Sequence, residues 1–383
     1  MKVKLFTNIA SHYRKAIWSR LLESPKVDID IYFGSNQYLG IKSIDLTKKP
    51  FSDHQDRIFQ LKNIWIKKRV LVWQIGVISV CLFGTFDKGI FLGESYCLST
   101  WIASIVCRLR NIEVIFWGHG LYGNEGFLKL YFRKTFYLLA DKHLLYERRA
   151  KKLMINEGFD PEKIYIVFNS LEYEVHKKLR DKYKNLRKKE IYTDLNNPEL
   201  PVLIFIGRLT PEKDLDILVK TVNEIDRDKV KVNLVMIGDG PERKKLELLG
   251  AEGIKEGWIN FIGACYNEEK LAQYLSAADL CVSPGNIGLT AIHSLSYGTP
   301  ICTHGDFSNQ MPEAEAIEEG YNGFLFKKGS KTDLGTKIKG WFRKEIDRKI
   351  VQDKCYQVVN QLYNPEYQLS VFKRLISDIP PKI

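Results

Sequence analysis

Arg208 and Lys213 flank Thr210-Pro211-Glu212 just after an apolar run, Pro201 to Ile206. Arginine grips two phosphate oxygens at once and lysine adds a compact point charge, so such a pair suits a diphosphate. Two further glycine-bearing loops follow apolar runs. Gly238-Asp239-Gly240-Pro241 follows Val232 to Ile237, and Pro284-Gly285-Asn286-Ile287-Gly288-Leu289-Thr290 follows Ala278 to Val282. After the last, Leu289, Ile292 and Leu295 recur at helical spacing until Gly298-Thr299-Pro300 stops the helix. Strand, tight loop and helix start leave backbone N–H groups of Asn286 to Leu289 for an anion. Gly288 allows the chain to approach a ligand closely. An ordinary β-α turn, with Arg208 and Lys213 as surface charge, is the competing explanation. Asp239 and Arg243 read as a turn residue and a helix-face charge.

The elements that must position these residues are parallel strands. Apolar runs alternate with helical segments along both halves, the pattern of βαβ units in a doubly wound α/β fold. In such a sheet the loops after strand C-termini line the ligand crevice. In the first half those loops cover residues 8–14, 94–97, 118–126 and 169–173, and Trp117-Gly118-His119-Gly120 offers a histidine there. Residues 35–63 read as irregular. Val70 to Phe83 reads as one apolar segment, a buried helix or one lying on a membrane, short of the ~18–20 residues a spanning helix needs. Residues 171–200 read as one charged helix linking two domains, and two helices are expected at the end of the chain.

A chain of 383 residues exceeds one ordinary core. Its 45% hydrophobic and 12% aromatic content excludes a disordered chain. The formal charge is +12, and residues 1–195 hold 34 Lys+Arg against 20 Asp+Glu. That asymmetry points to an anionic partner of the first half: a membrane surface, nucleic acid or a phosphorylated substrate. No basic-aromatic platform or nucleic-acid reading motif accompanies it, so no nucleic-acid partner is expected. The seven cysteines show no metal-type spacing and sit mostly in apolar runs, which favours a reducing cytoplasm. No leader segment is expected at the start.

The motifs I-G-R-L-T-P-E-K-D, I-G-D-G-P-E-R and S-P-G-N-I-G-L…Y-G-T-P resemble the C-terminal domain of glycosyltransferase family 4. W-G-H-G, A-D-K-H-L-L-Y-E and G-F-D-P-E-K-I-Y-I-V-F-N-S-L-E resemble its N-terminal domain. The resemblance implies a GT-B fold: two Rossmann-like parallel-sheet domains, residues 1–170 and 171–360, facing each other across a cleft. Residues about 360–383 would pack back on the first. It implies a retaining, metal-independent transfer from a nucleoside-diphosphate sugar, with UDP favoured, to a glycan or lipid-linked acceptor. Arg208 and Lys213 then bind the donor diphosphate, and His119 lies under the donor sugar. Gly207, Gly238, Gly285, Asn286, Ile287, Gly288, Leu289 and Thr290 form the donor loops. Neither a cofactor nor a metal is expected.

The family's usual two glutamates are absent. Gly285 and His293 stand in their places, with His293 offered to a ribose hydroxyl and Glu313 or Glu315 to donor hydroxyls. A helix-capping carboxylate is the competing explanation for the last two. Lys67-Lys68-Arg69, Arg108, Arg110, Arg133-Lys134 and Arg148 to Lys152 are the candidates for lipid contact at the cytoplasmic membrane face. A GT-B sugar-nucleotide epimerase and a non-catalytic sugar-nucleotide or nucleic-acid binder remain as alternatives.

Overall fold

The computed structural model describes residues 1–35, 42–66, 70–225, 231–344 and 346–381. The chain divides into two units, Met1–Glu172 with Asn364–Ile383, and Tyr173–Tyr363. Each is built on a mainly parallel sheet, most of whose strands read as apolar runs, as in sheets with helices on both faces.

In the first unit the chain runs β1 (Lys2–Thr7), α1 (Lys15–Glu23), β2 (Asp28–Gly34), β3 (Ile58–Ile66), β4 (Leu71–Ile75), α2 (Val77–Phe83) and β5 (Lys88–Leu92). It continues with α3 (Leu98–Leu109), β6 (Glu113–Gly118), α4 (Phe127–Tyr137), β7 (Lys142–Leu145), α5 (Arg148–Asn156) and β8 (Ile164–Ile166). The strand order is β4-β3-β2-β1-β5-β6-β7-β8, parallel except for the β3–β4 pair. Sequence order reverses direction between β1 and β5, which places a ligand crevice at their C-terminal ends.

Three expectations are corrected in detail. Residues 58–63, the end of the stretch read as irregular, belong to β3. Its polar Gln60, Lys62 and Asn63 hide the strand signal, yet Asn63 is buried and donates to the carbonyls of Asn8 (2.7 Å) and Ser35 (2.9 Å). The apolar segment Val70 to Phe83 is a strand and a helix, broken where Gly76 takes a φ of +95°. The charged link forms two helices, α6 (Tyr173–Tyr183) and α7 (Lys188–Ile191), rather than one.

The second unit continues with β9 (Val202–Ile206), α8 (Leu215–Glu224), β10 (Asn233–Ile237), α9 (Arg243–Leu249), α10 (Ala251–Lys255), β11 (Ile259–Gly263), α11 (Glu268–Ala277) and β12 (Leu280–Ser283). Then come α12 (Thr290–Ser296), β13 (Ile301–His304), β14 (Gly323–Phe326), α13 (Lys331–Phe342) and α14 (Arg348–Gln361). Its parallel order, β11-β10-β9-β12-β13-β14, reverses between β9 and β12. A third terminal helix, α15 (Pro365–Ile376), follows where two were expected. Asn364 caps α15 by accepting from the Tyr367 N–H (2.8 Å), and Phe372 packs against Trp117 in the first unit's core.

Candidate functional site

In the second unit, Gly207 to Lys213 follows β9 and Gly285 to Leu289 follows β12, so both loops flank the point where strand order reverses. Their backbones lie in direct contact. The Gly285 N–H donates to the Lys213 carbonyl (2.9 Å), and a Cβ at 285 would lie 2.1 Å from the Glu212 carbonyl oxygen. Position 285 therefore has no room for a carboxylate unless the Pro211–Lys213 turn moves. Gly238 makes a similar approach: a Cβ there would lie 1.8 Å from the Gly207 oxygen. The Gly207 N–H bonds the Ile237 carbonyl (3.0 Å) and the Leu209 N–H that of Asp239 (3.0 Å), so the loops after β9 and β10 are joined.

Lys213 bridges the two loops flanking the reversal. Its Nζ donates to the Asn286 carbonyl (2.6 Å) and to Asn286 Oδ1 (2.7 Å). Burial pulls its pKa below the ordinary lysine value, against the charges of Glu212 and Glu313. Arg208 is exposed and has no hydrogen bond or ion pair among the described residues. Asp239 and Arg243 pair with each other (3.7 Å), and Arg243 also bonds Glu247 (2.7 Å), as a turn residue and a helix-face charge do.

Thr290 anchors the start of α12 by donating to the Ile206 carbonyl (3.2 Å). Gly288 has a φ of +55° and Leu289 precedes the helix. The Ile287 N–H is already taken, donating to Gln310 Oε1 (3.0 Å). Gln310, which carried no motif signal, also donates to Thr303 Oγ1 (2.9 Å) and the His304 carbonyl (3.1 Å), holding the loop against β13. Glu313 is buried in a short 3-10 turn (Pro312–Ala316), close enough for its charge to act on Lys213; Glu315 is half-buried. His293 Nε2 is engaged by Glu268 Oε1 (2.7 Å).

In the first unit, His119 follows β6. Its ring lies against Tyr146 (5.0 Å) and Tyr122 (5.9 Å). Burial, then the charges of Arg133 and Arg14, pulls its pKa down to about 4. Arg133 is buried, donates to the Gly120 carbonyl (2.7 Å) and lies 3.9 Å from Glu94 Oε2. Arg14 donates to the Tyr146 hydroxyl (2.6 Å). Glu94, one loop earlier, is buried, which raises its pKa to about 7 against the pull of Arg133 and Arg14. Glu94 carried no sequence signal, because its pKa comes from burial among residues distant along the chain.

Several basic residues read as lipid contacts do other work. Arg108 donates to the Leu138 carbonyl (3.0 Å), Arg110 to those of Cys81 (2.6 Å) and Gly84 (2.9 Å), and Lys151 to that of Ile164 (3.0 Å). Lys134 pairs with Glu157 (3.0 Å), and the Arg148 guanidinium lies over the Phe168 ring (4.8 Å). Arg133 is enclosed, so it offers nothing to a lipid. Lys67-Lys68-Arg69 lies outside the described residues. Arg108, Arg110, Arg148 and Lys152 are nonetheless exposed, and so are large apolar side chains: Phe83 of α2, Leu109 of α3, and Phe127 and Leu128 of α4 are each at least 80% exposed. Trp101 of α3 packs at a tilt against Phe132 of α4 (ring centroids 5.0 Å apart), so these helices are neighbours. Among the described residues, no helix is long and apolar enough to cross a membrane.

Comparison with known proteins bears on this geometry. Residues 187–358 match the family model of glycosyl transferases group 1. The matched segment holds β9 to β14 and both loops at the reversal. Sulfoquinovosyl transferase SQD2 of Arabidopsis thaliana is 29% identical over 174 residues, 43% of this chain and 31% of its own length. The chain thus covers well under two thirds of that relative. The solved lipopolysaccharide outer core galactosyltransferase WaaB superposes with a TM-score of 0.68 at 16% identity, covering 99% of both chains. HepE of Anabaena in complex with UDP gives 0.69 at 13% identity, over 98% of this chain and 100% of that one. These likenesses establish the GT-B fold, two parallel-sheet α/β domains. The likeness in sequence to glycosyl transferases group 1 lies within the second unit, over the residues of the family model.

Proposed function

We propose that the protein transfers a glycosyl group from a nucleoside-diphosphate sugar, with UDP favoured, to a hydroxyl of a glycan or lipid-linked acceptor in surface polysaccharide or glycoconjugate synthesis. The observation that carries this reading is the loop pair at the β9/β12 reversal, where Lys213 is fixed on Asn286 and Arg208 stands without a partner among the described residues. HepE, which shares the fold, is known with UDP bound.

In the proposed step the bond between the anomeric carbon and the diphosphate oxygen breaks, and its electron pair leaves with the phosphate. The charges of Arg208 and Lys213 stabilise that developing anion. The acceptor oxygen bonds to the anomeric carbon on the same face, and its proton passes to the departing phosphate oxygen. Configuration is retained, and the step invokes no metal and no protein nucleophile. His119, held neutral by its surroundings, offers a hydrogen bond to a sugar rather than a charge.

The first unit carries the acceptor in this reading. It holds 29 Lys+Arg against 18 Asp+Glu, while the second holds 29 against 28. The exposed apolar face of α2, α3 and α4 would rest on the cytoplasmic side of an anionic membrane, where a lipid-linked acceptor is presented. Glu94 favours a second reading, sugar-nucleotide epimerisation, because a carboxyl with a pKa near 7 suits acid–base work. That reaction needs a second such group, so it ranks below transfer.

The test is calorimetric titration of UDP, GDP and ADP into the wild type and the Arg208→Ala/Lys213→Ala variant. One nucleotide is expected to bind, and the double variant to lose at least 100-fold in affinity, about 2.7 kcal/mol. Binding of none, or binding indifferent to the double change, defeats the reading.

A further inference from the structure

We propose that the second unit binds a divalent transition-metal ion of the zinc class on His176 Nε2, His293 Nε2 and Glu268 Oε1. These residues come from α6, α12 and the first position of α11. Asn267 caps α11 by accepting from the Lys270 N–H (3.0 Å), which fixes Glu268 at the helix start. His293 Nε2 lies 2.7 Å and His176 Nε2 3.3 Å from the same carboxylate oxygen. All three donor atoms fall within 4.8 Å of one another.

Zinc bonds nitrogen and oxygen ligands at about 2.0–2.2 Å, so the ligand atoms of a tetrahedral site stand roughly 3.3 Å apart. The triangle here reaches that spacing by small side-chain adjustments. Two imidazoles and one carboxylate are a ligand set known to hold zinc with a fourth position open. Nitrogen donors also select against magnesium and calcium. Glu268 is partly exposed, so water can reach that fourth position.

Without a metal, three donors crowd one oxygen, since the Tyr297 hydroxyl also donates to Glu268 Oε1 (2.7 Å). With a metal, both imidazoles direct lone pairs at the ion, and Tyr297 alone donates to the carboxylate. It then becomes the outer partner that orients a ligand. The ring centroids of His176 and His293 lie 5.1 Å apart, and Tyr297 packs 5.4 and 5.5 Å from them, so aromatic contacts already hold the imidazoles in place.

The ion would tie α6 to α12, the helix that continues the Gly285–Leu289 loop. Its role is to stiffen that helix. The inference does not depend on the transferase reading, because it concerns metal occupancy alone.

The full chain, stripped with a chelator, is titrated with Zn²⁺ by calorimetry and with Co²⁺ by visible absorption. One equivalent of each is expected, with the intense bands of four-coordinate Co²⁺ and a thermal midpoint that rises with Zn²⁺ concentration. Glu268→Gln, which preserves shape, and His176→Gln/His293→Gln should each weaken binding at least 10-fold. His54→Ala, in the first unit, should not. Circular dichroism checks that each variant is folded, and a variant that fails to fold leaves the other to decide. Absence of binding to the wild type, or one equivalent bound equally by a folded Glu268→Gln or double-glutamine variant, overturns the proposal.

Discussion

The two units have the same kind of crevice and furnish it in opposite ways. At the β1/β5 reversal and beside it, Glu94, Arg14 and Arg133 are buried, and both arginines are engaged by neighbouring groups. At the β9/β12 reversal, Arg208 is exposed with no partner among the described residues, and Lys213 spans the two loops. Glu125, 3.7 Å from Arg133, brings the set to two carboxyls against two guanidiniums, so it presents little net charge, which suits a polyol. An uncompensated cation beside glycine-bearing loops suits a diphosphate. Sheet topology decides where ligands bind; the burial of the charges decides which ligand.

The sharpest test of that contrast is the pH dependence of stability. Glu94 titrates near 7 when folded and, by the ordinary carboxyl value, near 4.5 when unfolded. Between those values the folded state binds the extra proton. Stability therefore falls as pH rises through the window, by about 3 kcal/mol in all. Glu94→Gln removes this slope, so its stability relative to wild type should climb from pH 5 to 8 in denaturant unfolding. His119 works in the other direction. Its folded pKa of about 4 lies below the ordinary 6.5, so stability is lost as pH falls through that window. The stability of His119→Gln relative to wild type should climb toward acid. Differences that do not vary with pH would mean that neither group is as enclosed as its geometry indicates.

The next test addresses the backbone approach in the second unit. Gly285→Glu introduces a carboxylate into the loop, but its Cβ meets the Glu212 carbonyl at 2.1 Å. Overpacking against backbone should cost about 2 kcal/mol and displace Lys213. Gly126→Ala serves as control, since a Cβ there has no heavy atom within 4 Å. If Gly285→Glu is as stable as that control and binds nucleotide more tightly, the close approach is dispensable.

These features differ in how far the sequence disclosed them. The two parallel sheets were legible because apolar runs ending in glycine-bearing loops mark buried parallel strands. The placing of Arg208 and Lys213 at a strand C-terminus followed from the same pattern. β3 was hidden, since the polar Gln60, Lys62 and Asn63 interrupt it. Gln310 was invisible because its work, holding the Ile287 N–H, depends on a fold that brings a later loop under an earlier one. The joining of His293 to Glu268 and His176 was equally hidden: α6, far back along the chain, meets the successive helices α11 and α12 there, and no periodicity records it. The exposed apolar face was concealed by its composition. A helix apolar on most sides reads as buried, and only the packed structure shows that Phe127 and Leu128 have nothing to pack against.

That face provides the test with the smallest expected effect, and it touches only the first unit. Leu128 is 80% exposed, so Leu128→Ser should leave the unfolding midpoint nearly unchanged. If α2, α3 and α4 rest on a membrane, the same substitution removes apolar burial in the bilayer interface. Binding to vesicles containing anionic lipid should then fall about tenfold, or 1.4 kcal/mol. Raising salt should weaken what remains, because the net positive charge of this unit contributes to attraction screened over about 10 Å at 0.1 M. Sedimentation with anionic and neutral vesicles reads both effects. Wild-type binding to neither kind, or to both equally, would leave the basic charge of this unit without a membrane role. Its contrast with the near-neutral second unit would then have to arise from an anionic acceptor itself.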